Sequence, residues 1–335
     1  MHLPGRPYKR ARRAVLGWLQ RLSPAADVAP RAIPIKTHAD RHVQRLLQLM
    51  RQRPELEIRI ACAARTDGIG RQALCVISAL AFAHRHRCQY LHIPFSDVAH
   101  ADGDPATWSQ RWEAFLGLGH GETILPADTE PVPIKDFLAA HRRDRRHAHG
   151  PLAVVVSGNF GLGGIVAARH WLLPRLRAKY HASDKAALLL FRDTRSINVA
   201  VHVRRGDVGA HNARHVSDAA VLRTIAQVRA ATTSIGRDAA IHLFSDGTPE
   251  QFRAYSDAGC MLHLGIDPFA TFHNLFAADL LVSAPSAFSH LAALLSEGIV
   301  LNPNDQWDLG ERWLPLSLDG GFDAARLAAA LARRA

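Results

Sequence analysis

The feature that most constrains the fold of this chain is the alternation of short apolar runs with longer segments of helical spacing. Residues 58–63 have the pattern of a buried strand, residues 72–86 carry apolar side chains at helical spacing, and residues 90–93 have the pattern of a second strand. This order predicts a βαβ unit and a parallel sheet. Further strands are predicted at 154–156, 197–201, 241–244, 280–282 and 299–301, and further helices at 40–51, 171–190, 216–231, 270–278 and 286–295.

The chain is long enough for two domains of ordinary size, because its 335 residues can bury two separate cores. We therefore predict an α/β fold made of two Rossmann-like domains that face each other across a cleft. The predicted N-terminal α/β domain covers residues 36–192 and the C-terminal α/β domain covers residues 193–335. A basic leader and a proline-containing linker occupy residues 1–35.

Composition and charge narrow the functional classes. Hydrophobic residues make up 48% of the chain and charged residues 21%, which excludes disorder as a description of the whole protein. The 41 Lys and Arg residues against 30 Asp and Glu residues give a formal charge of +11, which favours anionic partners. The four cysteines lack the paired spacing of a zinc site, no secretory segment precedes them, and no apolar run is long enough to span a bilayer. We therefore expect a reduced, cytoplasmic protein.

The leader combines basic residues with an apolar set that includes Trp18 and Leu19. Residues 1–22 are consistent with a short amphipathic helix on an anionic membrane face, since each basic residue near such a surface contributes about 1 kcal/mol. A solvated basic leader explains the same composition equally well. Peripheral membrane contact is therefore one of two open interpretations.

A cluster of charge follows the predicted strand at 197–201. His202, Arg204, Arg205 and Asp207 fall at its carboxyl end, which is where α/β sheets place ligands, and the arginine fork suits phosphate oxygens. The alternative is an ordinary solvated loop.

Three other loops have a similar position after a strand. The turn at 68–70 lets backbone N–H groups approach an anion at a helix N-terminus, although glycine there also suits turn geometry alone. Asp246 follows the strand at 241–244 and is either a helix N-cap or an acceptor for the paired donors of guanine. Ser286 and Ser289 open the helix after the strand at 280–282, and Ser286 also suits a capping role.

The segment 202–207, with the sequence HVRRGD, resembles the H-x-R-R-x-D signature of the α1,2-, α1,6- and protein O-fucosyltransferase group, which are GT-B enzymes that use GDP-fucose. The segment 67–72 is similar to the G-x-G-N-Q loop of the same group, with Arg71 in the position of the asparagine. Residues 286–290 resemble its serine-rich loop. The resemblance extends over roughly residues 58–303.

This resemblance implies a GT-B-like fold, with an acceptor-side first domain and a second domain that binds the nucleotide sugar. It implies that Arg205 contacts the β-phosphate and stabilises charge on the departing GDP, and that Asp207 orients an arginine or takes the acceptor proton. The implied reaction is inverting transfer of L-fucose from GDP-fucose to a glycan hydroxyl, without a cofactor or a metal ion. The residues expected to bind the nucleotide sugar are Gly68, Ile69, Gly70, His202, Arg204, Arg205, Asp246, Ser286, Ala287, Phe288 and Ser289.

Three alternatives remain at this point. A GT-B transferase that uses another nucleotide sugar has similar phosphate-binding loops. A non-enzymatic protein that binds anions or nucleic acid accounts for the charge, but the basic residues lack interleaved aromatics, so no specific nucleic-acid partner is expected. The third alternative binds GDP without catalysing transfer.

Overall fold

The structure is a computed structural model that describes residues 38–62, 65–143, 153–158, 160–161, 163–191, 195–206, 208–209, 211–212, 214–303 and 310–334. Residues 38–335 form one compact unit. The predicted leader and its membrane contact lie outside the described residues. So does the predicted domain boundary between residues 192 and 193.

Helices and parallel strands alternate along the described chain, as the sequence pattern predicts. The elements of the first half are α1 (His38–Gln52), β1 (Glu57–Cys62), α2 (Ile69–His86), β2 (Tyr90–His92), α3 (Pro105–Leu116), β3 (Thr123–Ile124), β4 (Val132–Pro133), α4 (Ile134–Arg143), β5 (Ala153–Gly158) and α5 (Gly163–His181). Those of the second half are β6 (Ile197–Val203), α6 (Asp218–Thr233), β7 (Ala239–Ser245), α7 (Arg253–Asp257), β8 (Met261–Leu264), α8 (Pro268–Ala277), β9 (Leu280–Val282), α9 (Ala287–Leu295), β10 (Ile299–Asn302), β11 (Trp313–Pro315) and α10 (Ala324–Ala332). Short 3₁₀ turns cover Ala186–Leu188 and Pro249–Phe252.

The first sheet has the strand order β3-β2-β1-β5-β4, and every pairing in it is parallel. The central strand β1 is flanked by β2 and β5, so the order of connection reverses beside it. In open α/β sheets ligands bind outside the carboxyl ends of the strands at such a switch point. The loop that follows β1 contains Gly68.

The second sheet has the strand order β11-β10-β9-β6-β7-β8, again with parallel pairing throughout. Numbered by their order within this half, the strands run 3-2-1-4-5-6 when read from β8, which is the arrangement of dinucleotide-binding folds. Its switch point lies between β6 and β9. The chain leaves β6 at Arg204 and leaves β9 at Ser283.

Two buried helices, α2 and α9, connect the halves. Most residues of α2 are buried, and Ser289–Leu295 of α9 are buried as well, as expected for helices that are largely apolar on every side. Their first turns touch at Gly70. A Cβ on Gly70 would lie 2.4 Å from both the carbonyl carbon of Ala287 and the backbone nitrogen of Phe288. Only glycine allows this backbone approach.

Aromatic packing extends the contact between the halves. The Trp112 ring of α3 lies 4.1 Å from the Phe269 ring of α8 and 6.2 Å from the Phe288 ring of α9, measured between centroids. Side chains from both sheets and their helices therefore belong to one hydrophobic core cluster. The contact between Trp112 and Phe288 is edge-to-face, and a contact of this kind contributes about 0.5–1.5 kcal/mol beyond its burial.

The prediction of an α/β fold with two Rossmann-like parallel sheets is confirmed. The sequence pattern missed β3, β4, β8 and β11, which lie near or at the sheet edges and have two to four residues. Strands of that length contain too few residues for an alternating pattern. Within the described residues, no helix combines the length and apolar character needed to cross a bilayer.

We expect Gly70→Ala to lower the free energy of unfolding by about 1–3 kcal/mol or more, because the added methyl group collides with backbone rather than with a movable side chain. Urea unfolding followed by circular dichroism measures this change. Gly164→Ala in α5 is the matched control, since its added Cβ would meet only the Cβ of Ala81 at 3.9 Å. Equal stability of the two variants would contradict the tight approach of α2 and α9.

Candidate active site

A cleft of about 590 Å³ lies where loops of the two sheets meet. This volume is in the usual range for a small-molecule site. Loops that follow β1, β2, β6, β7 and β9 contribute to it. Its lining consists of Asp67, Gly68, Ile69, Gly70, Arg71, Ala99, His100, Trp108, Trp112, Arg204, Arg214, Asp246, Pro268, Ser286, Ala287 and Phe288.

The N-termini of α2 and α9 both open onto this cleft. Gly68 provides no side-chain cap for α2, and the first turn of each helix contains no acidic residue. Uncapped N–H groups and the positive end of the helix dipole attract anions. Because Gly70 brings the two N-termini into contact, their fields act on the same volume.

Arginine side chains add to this positive field. Arg71 lies in the first turn of α2, where a positive side chain is unfavourable unless an anion compensates it. Arg204 lies across the cleft and its Nη1 donates to Ser286 Oγ at 3.4 Å. Arg214 also lines the cleft. The arrangement suits a ligand with more than one negative charge, such as a diphosphate.

The structure places Arg205 differently from the sequence prediction. Arg205 lines a neighbouring cavity rather than this cleft. Its guanidinium donates to Asp218 Oδ1 at 2.5 Å, to the Val216 carbonyl at 3.0 Å and to the Arg204 carbonyl at 3.0 Å. Asp218 lies at the start of α6 and also accepts from Tyr255. Arg205 therefore fastens the loop after β6 to α6, whereas Arg204 faces the cleft.

Asp246 joins two of the loops. Its Oδ1 accepts the backbone N–H groups of Arg205 at 2.7 Å and Gly206 at 2.9 Å, so it holds the loop after β6 in position. It does not cap the following 3₁₀ turn, because Thr248 is the N-cap residue there. Desolvation of the carboxylate is outweighed by the N–H groups of Gly206 and Arg205, which lower the pKa of Asp246.

Ser286 and Ser289 have structural partners. Ser286 Oγ accepts from the Phe288 N–H at 3.3 Å and thus caps α9, as the capping interpretation predicts, while the residue still lines the cleft. Ser289 is fully buried and donates to the Ala284 carbonyl at 3.1 Å. It shapes the loop after β9 and does not line the cleft, contrary to the ligand contact expected for it.

His202 does not line this cleft but lines the neighbouring cavity, which also includes Arg204 and Arg214. Its ring centroid is 5.9 Å from that of Phe288, and its buried Nδ1 has no hydrogen-bond partner among the described residues. Burial, assisted by the nearby Arg204 charge, lowers the pKa of His202 to about 4. The imidazole is therefore neutral at physiological pH. Asp207 lies outside the described residues, so its role stays a prediction.

The Gln72 side chain holds together the loops that follow β1 and β2. This buried amide donates to the Asp67 carbonyl at 2.6 Å and to the Asp97 carbonyl at 2.8 Å. The Ala99 N–H donates to the same Asp67 carbonyl at 3.3 Å. The loops after β1 and β2 are therefore joined side by side at the rim of the cleft.

Sequence reasoning missed several cleft residues. Trp108 and Trp112 are one helical turn apart on α3, so their spacing indicated a shared face but not which surface that face meets. His100 and Arg214 lie in loops without a local pattern. Their approach to the cleft depends on contacts distant in sequence.

We expect Arg205→Met to lower the free energy of unfolding by about 1–3 kcal/mol, because the Val216 carbonyl and Asp218 lose their donor. Arg204→Met, the same change at the neighbouring position, should have a smaller effect. Urea unfolding of the two variants measures the difference. The reverse order would show that Arg204 rather than Arg205 fastens the loop.

The pH dependence of the free energy of unfolding tests the hydrogen bonds of the Asp246 carboxylate. A lowered pKa in the folded state means that the carboxylate stabilises the fold above its unfolded pKa, about 3.9, and that this contribution is lost as the pH falls through the folded value. Asp246→Asn should therefore lose less free energy of unfolding between neutral and acid pH than the parent chain. Asp102→Asn, the same change at an exposed site, is the matched control. An unchanged slope in Asp246→Asn would contradict the hydrogen-bonding scheme.

Among known proteins, the chain is similar to several solved structures. No protein-family model and no curated protein matches the chain. The fucosyltransferase NodZ from Bradyrhizobium is 13% identical, with a TM-score of 0.39 over 72% of this chain and 94% of that one. POFUT1 in complex with GDP-fucose is 12% identical, with a TM-score of 0.37 over 72% and 95%. A mutant of Arabidopsis thaliana FUT1 in complex with GDP is 10% identical, with a TM-score of 0.41 over 83% and 82%. The functional assignment of this chain rests on its own residues.

Proposed function

We propose that this protein is a glycosyltransferase that moves L-fucose from GDP-fucose to a glycan hydroxyl, with inversion and without a metal ion. The observation that carries the proposal is the convergence of two helix N-termini and Arg204 on one cleft between two Rossmann-like sheets. The cleft adjoins the switch point between β6 and β9, where such sheets bind nucleotides.

The diphosphate is assigned to the space between the first turn of α2 and Arg204. Uncapped N–H groups of α2 and the Arg204 guanidinium are donors fixed before the substrate arrives. As the sugar leaves, negative charge grows on the β-phosphate oxygens, and preorganised donors stabilise that charge more than they stabilise the bound donor. In this assignment Arg204 takes the role that the sequence motif suggested for Arg205.

The guanine base is assigned to Asp246. Its Oδ1 is occupied by backbone N–H groups, and the cleft adjoins the residue, so the second oxygen can accept from the base. With two lone pairs, this one oxygen can accept from both N1–H and the 2-amino group of guanine, whereas uracil offers only one such donor. This favours GDP over UDP.

The sugar and the acceptor are assigned to the part of the cleft that the nucleotide does not fill. The choice of fucose rests on the H-x-R-R-x-D resemblance of residues 202–207. The largely buried rings of Trp108 and Trp112 form part of the cleft wall and make that part apolar. Charge supplied by Arg204 and the helix ends replaces the cation that other transferases use, so the reaction is proposed to need no metal.

Inversion follows from a single displacement in which the acceptor oxygen attacks C1 as GDP departs from the opposite face. Asp207 is retained as a predicted residue that orients an arginine or takes the acceptor proton. A cytoplasmic location, with peripheral membrane contact through residues 1–22, also stays a prediction.

Ligand titration tests the nucleotide. Isothermal titration calorimetry with GDP, GDP-fucose and UDP should show binding of both guanine nucleotides and at least about tenfold weaker binding of UDP, the loss of one good hydrogen bond to a charged group. Equal affinity for UDP would favour a transferase for another nucleotide sugar. Salt-dependent DNA binding without any affinity for GDP would favour the nucleic-acid alternative.

Release of GDP from GDP-fucose in the presence of a glycan pool tests the chemistry. We expect turnover in the parent chain and a loss of about 10²- to 10³-fold in Arg204→Lys, because a point charge cannot reproduce the arginine fork at the diphosphate. Arg223→Lys, in an exposed ion pair on α6, is the matched control and should keep full turnover. GDP binding without turnover in the parent chain would leave a binding protein rather than a transferase.

A further inference from the structure

His100 lies in the cleft with a backbone conformation that is rare for its residue type. It belongs to the loop after β2, its side chain is exposed, and it lines the cleft beside Gly68. Its Cδ2 is 3.9 Å from where a Cβ on Gly68 would be. Its φ is 63°, in the left-handed region that non-glycine residues seldom adopt.

Hydrogen bonds hold the three residues that precede His100. The Ala99 N–H donates to the Asp67 carbonyl, the Asp97 carbonyl accepts from Gln72, and the Val98 N–H donates to Ser109 Oγ at 3.1 Å. The loop is thus attached to α2, to α3 and to the loop after β1 immediately before His100. Backbone strain of this kind costs free energy and clusters at functional sites, where the surrounding contacts maintain it.

The other described groups in the cleft that are able to accept a proton are committed elsewhere. Both oxygens of Asp67 accept from Arg65 Nε, at 2.9 and 3.0 Å. Asp246 Oδ1 accepts two backbone N–H groups, and its second oxygen is assigned to the guanine base. The His100 imidazole makes no hydrogen bond to the described residues, and imidazole is the side chain best suited to take a proton near neutral pH.

We propose that His100 is the general base that activates the acceptor hydroxyl, an inference that rests on the proposed transferase function. Asp207 then keeps only the other predicted role, the orientation of an arginine. The acceptor oxygen forms a bond to C1 of the sugar, and the bond between C1 and the β-phosphate oxygen breaks. Its electron pair leaves with GDP beside Arg204. The acceptor proton passes to an imidazole nitrogen of His100 and then to solvent.

Chemical rescue tests this role, since His100→Gly removes the imidazole and also relieves the strain at φ 63°. GDP release from GDP-fucose with the glycan pool is measured at fixed pH, with and without added imidazole. We expect kcat to fall by about 10²- to 10⁴-fold, GDP affinity to stay unchanged, and imidazole to restore part of the rate. His100→Gln, which fills the site without a base, should lose activity and show no rescue.

Arg87→Gly is the matched control, because Arg87 has φ 57° at the C-terminus of α2 and does not line the cleft. It relieves similar strain and should leave turnover unchanged. Full activity in His100→Gly, or a loss that imidazole does not restore, overturns the base assignment while the transferase function stands. Absence of turnover in the parent chain overturns both.

Discussion

The structure depends on the backbone contact between the first turns of α2 and α9. At Gly70 these helices approach so closely that any side chain would collide with the backbone of Ala287 and Phe288. Through this contact the helices of both sheets share one hydrophobic core. The same contact brings two positive helix ends to one cleft, so the element that joins the halves also creates the anion-binding field.

The two adjacent arginines after β6 have different roles. Arg204 and Arg205 follow β6 directly, and their guanidinium groups have different hydrogen-bond partners. Arg204 reaches Ser286 at the cleft, and Arg205 reaches Asp218 at the start of α6. Asp246 then holds the backbone between them through two N–H groups. The ligand-facing guanidinium is thus positioned by its neighbour.

Much of this arrangement was predictable from local pattern. The apolar runs located every central strand, because a buried strand needs several consecutive apolar residues. Parallel sheets place ligands at the carboxyl ends of their strands, so the sequence predicts a site in the loops after β1, β6, β7 and β9. All four loops contribute to the cleft. The short edge strands had no readable pattern. His100 was missed because its loop is held in the cleft by residues distant in sequence, such as Asp67 and Gln72.

Local periodicity and residue chemistry were therefore sufficient for the α/β class, for the central strands and for the loops that carry charge. Which arginine faces the cleft, why Ser289 is buried, and how His100 and Trp108 join the site were decided by packing between segments far apart in the chain. The reason is physical: a strand or helix is specified by neighbours within a few residues, whereas the direction of a loop side chain depends on which distant surface pairs with its backbone.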